Sequence, residues 1–223
     1  MQKIKVWDLP TRLFHWLLAV LVLALFVTGS VGGNWIDRHM QLGYAVLSLL
    51  LFRLIWGVLG GHWSRFWHFF PTPSRLVAYF KGDAQLAQSH VGHNPLGAFS
   101  VFALLLILLL QVSTGLISDD EIAFTGPLVH WVSSATSSLA TSYHKQYGKL
   151  IILVLVGLHI GAMVFYKLVK KKNLVPAMLH GYQEAPNSLA LPQSADHAGA
   201  RVLALVVLLC CVGVVAWLVT RSA

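Results

Sequence analysis

Long apolar runs alternate with shorter polar ones along this chain, and the runs cover residues 12–31, 39–60, 96–117, 145–169 and 201–219. Each is about twenty residues long, which as an α-helix spans the roughly 30 Å hydrocarbon core of a bilayer. The pattern predicts five membrane-spanning helices, with no run left over for a water-soluble core. Lys3 and Lys5 precede the first run, as they would in a secretion signal. That run, Leu13–Val31, exceeds a signal h-region and no A-x-A site follows it, so it reads as a retained span.

The connections differ in kind. Segment 61–95 is aromatic, with Trp63, Phe66, Trp67, Phe69 and Phe70 among His62, Arg65 and His68. Such a mixture suits the headgroup layer. Within it, Ser74–Gly82 reads as a short amphipathic helix capped by Ser74 after Pro73. Segment 118–143 is rich in Ser and Thr and reads as a loop. Segment 171–199 carries Pro176, Pro186 and Pro192 and reads as a flexible link to the fifth span.

Composition strengthens the membrane reading. Charged residues make up 11% of the chain and hydrophobic ones 57%, whereas a soluble domain carries about 25% charged residues. The net charge of +8 is asymmetric, so it speaks to orientation and not to nucleic acid. With a cytoplasmic N-terminus, twelve Lys and Arg fall in inner segments, against Arg38, Lys145, Lys149 and Arg221 outside. The bias predicts the N-terminus on the inner side of the membrane and the C-terminus on the outer side. Cys210 and Cys211 are adjacent and form neither CxxC nor CxxCH, which argues against a thiolate metal site and against covalently attached haem. No carboxylate lies in the middle of a span, which weakens proton-pump and cation-transporter readings.

Histidine is the chemistry that remains. Within 142–163, "SYHKQYGKLIILVLVGLHIGAM", His144 and His159 are fifteen residues apart. On an α-helix that is about 22 Å of rise and about 60° beyond four full turns. They share a side of the fourth span at different depths, too far apart for one ion. By depth, His15 near the inner end of the first span matches His159, and His39 opening the second span matches His144. Two stacked bis-histidine pairs are what two b-type haems require, and such ligation favours electron transfer over oxygen chemistry. His39 in "HMQLG" and His144 in "HKQYG" share H-x3-G, so Gly43 and Gly148 lie one turn along, where they leave room for a porphyrin edge. Gly157 and Gly161 flank His159. Arg53, at about the depth of His159, needs an anion such as a haem propionate, unless it snorkels to headgroups. His62, His68, His90, His93, His130, His180 and His197 lie in connections and read as solvated.

The segments "VWDLPTRLFHW" at 6–16, "HMQLGYAVLSLLLFRLIWGVLG" at 39–60, "RFWHFF" at 65–70, "GHNPLGA" at 92–98, "TGLISDD" at 114–120 and "YHKQYGKLIILVLVGLHIGAM" at 143–163 stand in the order of one family. The chain closely resembles the bacterial cytochrome b-561 / nickel-iron hydrogenase b-type cytochrome family over about residues 5–181. The resemblance implies an all-α membrane protein with a four-helix transmembrane haem-binding bundle and two haem b groups. It also implies electron exchange between the quinone pool and a redox partner. The family's ligand positions fall on His15, His39, His144 and His159. The fifth span and His180 depart from the family pattern. The domain expectation is a dihaem core at 1–181, followed by a linker and an additional helix at 182–223.

The expected function is transmembrane electron transfer between quinone and a periplasmic or membrane redox protein, such as a c-type cytochrome or hydrogenase. The chain is then an electron-transfer subunit of a respiratory chain, with quinone oxidoreductase activity as an extension. Its other partners are membrane lipid and a second copy of itself. Quinone is expected near the inner haem, beside Trp16, Trp63 and Trp67. The fifth span, which has no redox job, would dock through Gly213 and Ala216. The rivals are a transition-metal transporter using stepwise histidines, which needs clustered ligands, and a cofactor-free anchor, which leaves four depth-matched histidines unexplained.

Overall fold

Five long helices carry the apolar runs in the structure, a computed structural model that describes residues 1–81, 91–187 and 190–222. They are α1 (Leu9–Val31), α2 (Ile36–Leu59), α5 (Pro95–Leu116), a helix spanning Ser134–Leu168, and α9 (Ala198–Ser222). Among the described residues, two short helices, α3 (Phe66–Phe69) and α4 (Pro73–Phe80), lie between α2 and α5. The helix over Ser134–Leu168 is built of α6 (Ser134–Ser142), a π-helical segment (Tyr143–Gly148) and α7 (Lys149–Leu168). All five are long and apolar enough to cross a membrane. Many of their large side chains, including Leu17, Val20, Leu23, Leu153 and Leu158, are exposed. Lipid, not water, is the solvent for such faces.

The chain forms two compact units. The first holds Met1–Leu13, Arg53–Ala103 and Gly157–Ala204. It contains a cap that the apolar pattern did not foretell. Strand β1 (Gln2–Lys5) pairs antiparallel with β2 (Tyr182–Ala185), and α8 (Val175–His180) leads into β2. A two-stranded sheet is marginal by itself and needs an apolar face to pack on. Ile4, Val6, Trp7, Val91, Ala177 and Ala185 supply it as one buried cluster. Ser194 then ties the chain down, its amide donating to Lys5 O at 2.8 Å and its hydroxyl to Val6 O at 2.6 Å. Asp196 follows, bound by Lys5 and Arg201 at 2.9 Å each and by the Leu9 amide at 3.3 Å. Burial would raise the Asp196 carboxyl, but hydrogen bonds from Arg201, Lys5 and Leu9 outweigh it and hold it down at about 2.

Asp8 is the buried hub beneath this cap. It caps α1 by accepting from the Thr11 amide at 2.8 Å, the role for which Asp is favoured ahead of a helix. It also accepts from the Gly61 amide at 3.1 Å, the Ser64 hydroxyl at 2.8 Å and the Trp56 indole N–H at 3.3 Å. A buried carboxylate is tolerable when donors surround it in this way.

Several expectations are corrected here. Segment 171–199 is not a loose tether: β2, Ser194 and Asp196 stitch it to the N-terminus. The short amphipathic helix exists, but its cap is Thr72, whose hydroxyl accepts from the Arg75 amide, with Pro73 at the first helical position. Gly82 and His90 lie outside the described residues. Segment 118–143 is not all loop, because Ser133 caps a helix that begins at Ser134.

The second unit holds Phe14–Phe52, Leu104–Val156 and Leu205–Ala223. Val46, Leu50, Leu105, Leu108 and Ile152 are among its buried apolar side chains. Asp120 organises the turn after α5. Its carboxylate accepts from the amides of Phe124, Ala123 and Ile122, which hold it down at about 2. On α9 the buried positions are Ala204, Cys211 and Val215, while Gly213 and Ala216 are exposed in the single chain.

Candidate functional site: a histidine pair held by backbone carbonyls

His39 stands in the first turn of α2 and His144 in the π-helical segment, both in the second unit. Their ring centroids lie 6.1 Å apart, with the ring planes at 89°. A metal ion bound to two imidazole nitrogens at about 2 Å each separates ring centroids by roughly 6 Å. Each ring is also held so that one nitrogen is spent and the other is spare. His39 Nδ1 lies 3.1 Å from Leu25 O, and His144 Nδ1 lies 2.8 Å from Gln111 O. A carbonyl only accepts, so both Nδ1 atoms carry the proton and both Nε2 atoms are left as ligand nitrogens. This is how a metal-binding histidine is oriented by its outer neighbours.

The supports of the two rings repeat one another. Thr28 donates to Ala24 O and lies 3.3 Å from His39 Nδ1, while Thr114 donates to Leu110 O and lies 3.5 Å from His144 Nδ1. The next residue is glycine in each case. A Cβ on Gly29 would stand 2.9 Å from His39 Cε1, and one on Gly115 would stand 2.9 Å from His144 Cε1. Leu25, Thr28 and Gly29 on α1 therefore match Gln111, Thr114 and Gly115 on α5, position for position. The paired Thr-Gly dipeptides, each with its threonine three residues before the end of its predicted span, carry this signal in the sequence, and "TGLISDD" contains the second of them. The π-helical turn at His144 has the extra residue that marks functional positions in helices.

Gly43 and Gly148 serve different ends. A Cβ on Gly43 would meet nothing within 4 Å, which is the open helix face that a flat macrocycle needs. The space beside Gly148 is taken by Gln111, whose amide donates to His144 O at 3.0 Å. Gly148 thus admits a side chain that steadies the π-helical turn.

Arg53, His93 and His159 belong to the first unit. Arg53 is 3% exposed, and its Nη1 has no hydrogen-bond partner among the described residues. The Phe66 ring lies 4.5 Å from its guanidinium carbon, in a space that Gly57, one turn along α2, leaves open. His93 is not the solvated histidine expected. Its ring packs against Phe69 at 4.2 Å and Trp7 at 4.6 Å, and its Nδ1 is shielded from water. Burial, and then the charges of Arg53 and His159, push its pKa down to about 3. Next to it Asn94 caps α5, accepting from the Gly97 amide at 2.6 Å and donating to the Tyr166 hydroxyl at 2.6 Å. "HNP" is thus an N-cap signature as well as a family motif.

His15 lies in the second unit, edge-on to Trp16 at 5.0 Å, whereas His159 lies in the first. Their pairing rests on the depth argument from sequence. Gly157 and Gly161, two positions either side of His159, lie towards the opposite helix face, where a Cβ would meet nothing within 4 Å. Among the described residues no three His, Cys, Asp or Glu side chains gather closely enough to hold a metal ion. The stepwise transporter therefore lacks a coordination sphere there.

An organic macrocycle with a central metal fits the donor set of the second unit: paired neutral imidazoles and an open glycine face. Comparison with known proteins points the same way. The chain is 26% identical over 212 residues to the Probable Ni/Fe-hydrogenase B-type cytochrome subunit of Rhizobium leguminosarum bv. viciae, covering 81% of this chain and 88% of that one. It is 24% identical over 215 residues to the subunit of the same name from Bradyrhizobium diazoefficiens, covering 80% and 85%. It is 22% identical over 214 residues to the Probable Ni/Fe-hydrogenase 1 B-type cytochrome subunit of Escherichia coli K12, covering 80% and 89%. No solved structure matches the chain significantly. The family profile described as Prokaryotic cytochrome b561 matches residues 6–181, and the chain is accordingly a member of the prokaryotic cytochrome b561 family, a multi-pass membrane b-type cytochrome of electron transfer.

Proposed function

We propose that the chain carries two haem b groups and passes electrons between a membrane quinone and a hydrogenase. The observation that carries the reading is the His39–His144 pair, with centroids 6.1 Å apart and both Nδ1 atoms spent on carbonyls. When bound, haem would supply reversible one-electron chemistry, and His39 and His144 would be the residues that hold its iron. The protein's part is to hold geometry. Leu25 O and Gln111 O fix the ring tautomers, and Gly29 and Gly115 let the helices close on the rings. His15 and His159 would hold the second haem. Arg53 would meet an acidic group of that haem.

The hydrogenase comes from the names of the relatives, the bacterial inner membrane from the prokaryotic family, and the inside N-terminus from the charge bias. Quinone is assigned to the side of the aromatic connection. A cavity of about 240 Å³, lined by Trp63, His68, Phe69, Arg75 and His93 among others, supports that side. Flat aromatic walls suit a quinone ring.

The test is stoichiometric and then genetic. Pyridine haemochrome against protein should give a ratio near two, with haem extractable by acid-acetone. His39→Ala and His144→Ala should each remove one and the same haem, and His15→Ala and His159→Ala the other. A ratio near one, or His15→Ala matching His144→Ala in redox titration, would overturn the assignment. A visible spectrum without b-type bands would favour the cofactor-free anchor.

A further inference from the structure

We propose that Arg53 and His93 form a carboxylate-binding pair that holds a propionate of the haem at His159, with His93 a positioning residue that sets this haem's potential. The proposal rests on the reading of His159 as a haem ligand. Two observations carry it. Arg53 Nη1 and His93 Nδ1 are both buried, and neither has a hydrogen-bond partner among the described residues. Leaving a buried polar nitrogen without a partner is costly, and one of a guanidinium more so. Two in one neighbourhood point to an acceptor that both were shaped to meet.

The neighbourhood is defined by rings. Arg53 lies over Phe66 at 4.5 Å, Phe66 is 6.0 Å from Phe69, and Phe69 is 4.2 Å from His93. Both donors thus stand on one aromatic wall, in a setting of low polarity where a charge-assisted hydrogen bond is strong. The charge of Arg53 bears on the His93 ring, as does His159. Asp8, whose charge reaches Arg53, is already engaged by Thr11, Gly61, Ser64 and Trp56. A guanidinium fork and an imidazole N–H select a planar anion with two oxygens, which is a carboxylate.

The direction of the effect follows from charge. A donor on a propionate draws off negative charge, and its removal leaves more negative charge beside the iron. That favours the oxidised haem and lowers the potential. The purified full chain in detergent is titrated electrochemically with visible detection. The haem in question is the one missing from His159→Ala. His93→Ala should keep both haems and lower the reduced-to-oxidised ratio of this one about three- to tenfold at fixed ambient potential. A tenfold change is about 59 mV for one electron. His93→Gln, which restores a neutral donor, should recover most of the shift, and Arg53→Lys should lower the same potential. The other haem should be unmoved.

An unchanged potential in His93→Ala, or equal shifts in both haems, overturns the proposal and leaves the ligand assignment standing. If His159→Ala keeps both haems, the ligand reading itself fails.

Discussion

Alanine at position 29 would place a methyl carbon 2.9 Å from Cε1 and 3.0 Å from Nδ1 of His39. Carbon atoms rest about 3.5–4.0 Å apart, so the imidazole must retreat by more than half of one ångström. It is not free to do so, because Nδ1 is tied to Leu25 O at 3.1 Å. The ring must therefore turn away from its preferred rotamer, at a cost of about 0.5–1.5 kcal/mol. At about 1.4 kcal/mol per factor of ten, haem retention should weaken about two- to tenfold. Alanine inside a helix returns about 0.5–1 kcal/mol relative to glycine, so overall stability should barely change. The effect then has to be read on the haem itself. Transfer to excess apomyoglobin, followed spectrally, should be two- to tenfold faster for one haem and unchanged for the other. Gly115→Ala meets His144 at 2.9 and 3.2 Å and should accelerate loss of the same haem. Gly213→Ala meets nothing within 4 Å and serves as the control. If Gly29→Ala and Gly115→Ala behave like Gly213→Ala, or act on different haems, the argument from ring support is wrong.

Other perturbations probe the cap. Asp8→Ala strips an acceptor from four donors and should destabilise the first unit by about 3–5 kcal/mol, seen as a lower melting temperature and faster proteolysis near the N-terminus. Asp196 is held at about 2, below its usual value near 3.8, so its stabilising contribution is complete above that usual value and is lost only as pH falls through about 2. Proteolytic resistance of the cap, measured with one acid-tolerant protease, should therefore be flat from pH 8 to pH 5 and fall only in strong acid. A chain ending after Ser194 lacks Asp196 and should be cut faster at Lys3 and Lys5 while keeping both haems; loss of a haem would mean that α9 walls a haem pocket.

The spans and their order were legible because hydrocarbon imposes a long, uniform pattern that little else in a chain imitates. His39 and His144 were legible as a matched pair because depth along a helix follows directly from residue count. Their supports were harder to see. Leu25 O and Gln111 O are backbone atoms, which have no sequence signature, and the glycines beside Thr28 and Thr114 resemble ordinary helix-packing residues. The cap was missed because β1 is four residues long and its partner β2 is about 180 residues away, beyond the reach of local periodicity. The prolines of 171–199 read as looseness, whereas Ser194 and Asp196 supply order through polar contacts that no pattern of apolar residues reports. His93 was assigned to water because its position in a connection outweighed its neighbours Trp7 and Phe69, which only the fold brings near.

The pairing of β1 with β2 also bears on how the chain is made. Gln2 leaves the ribosome first among the paired residues and Ala185 last, and at about 5–20 residues per second the first strand waits roughly 10–40 s for its partner. During that interval an open strand edge is a hazard, since it can pair with any passing extended chain. Lys3 and Lys5, at alternate positions on that edge, are the kind of charge that discourages such pairing. The cap can close only after the fourth long helix has been synthesised, so closure is a late checkpoint in biogenesis: a chain stalled or cut before Ala185 would display a free N-terminal strand, a mark by which quality-control proteases could tell an unfinished molecule from a finished one.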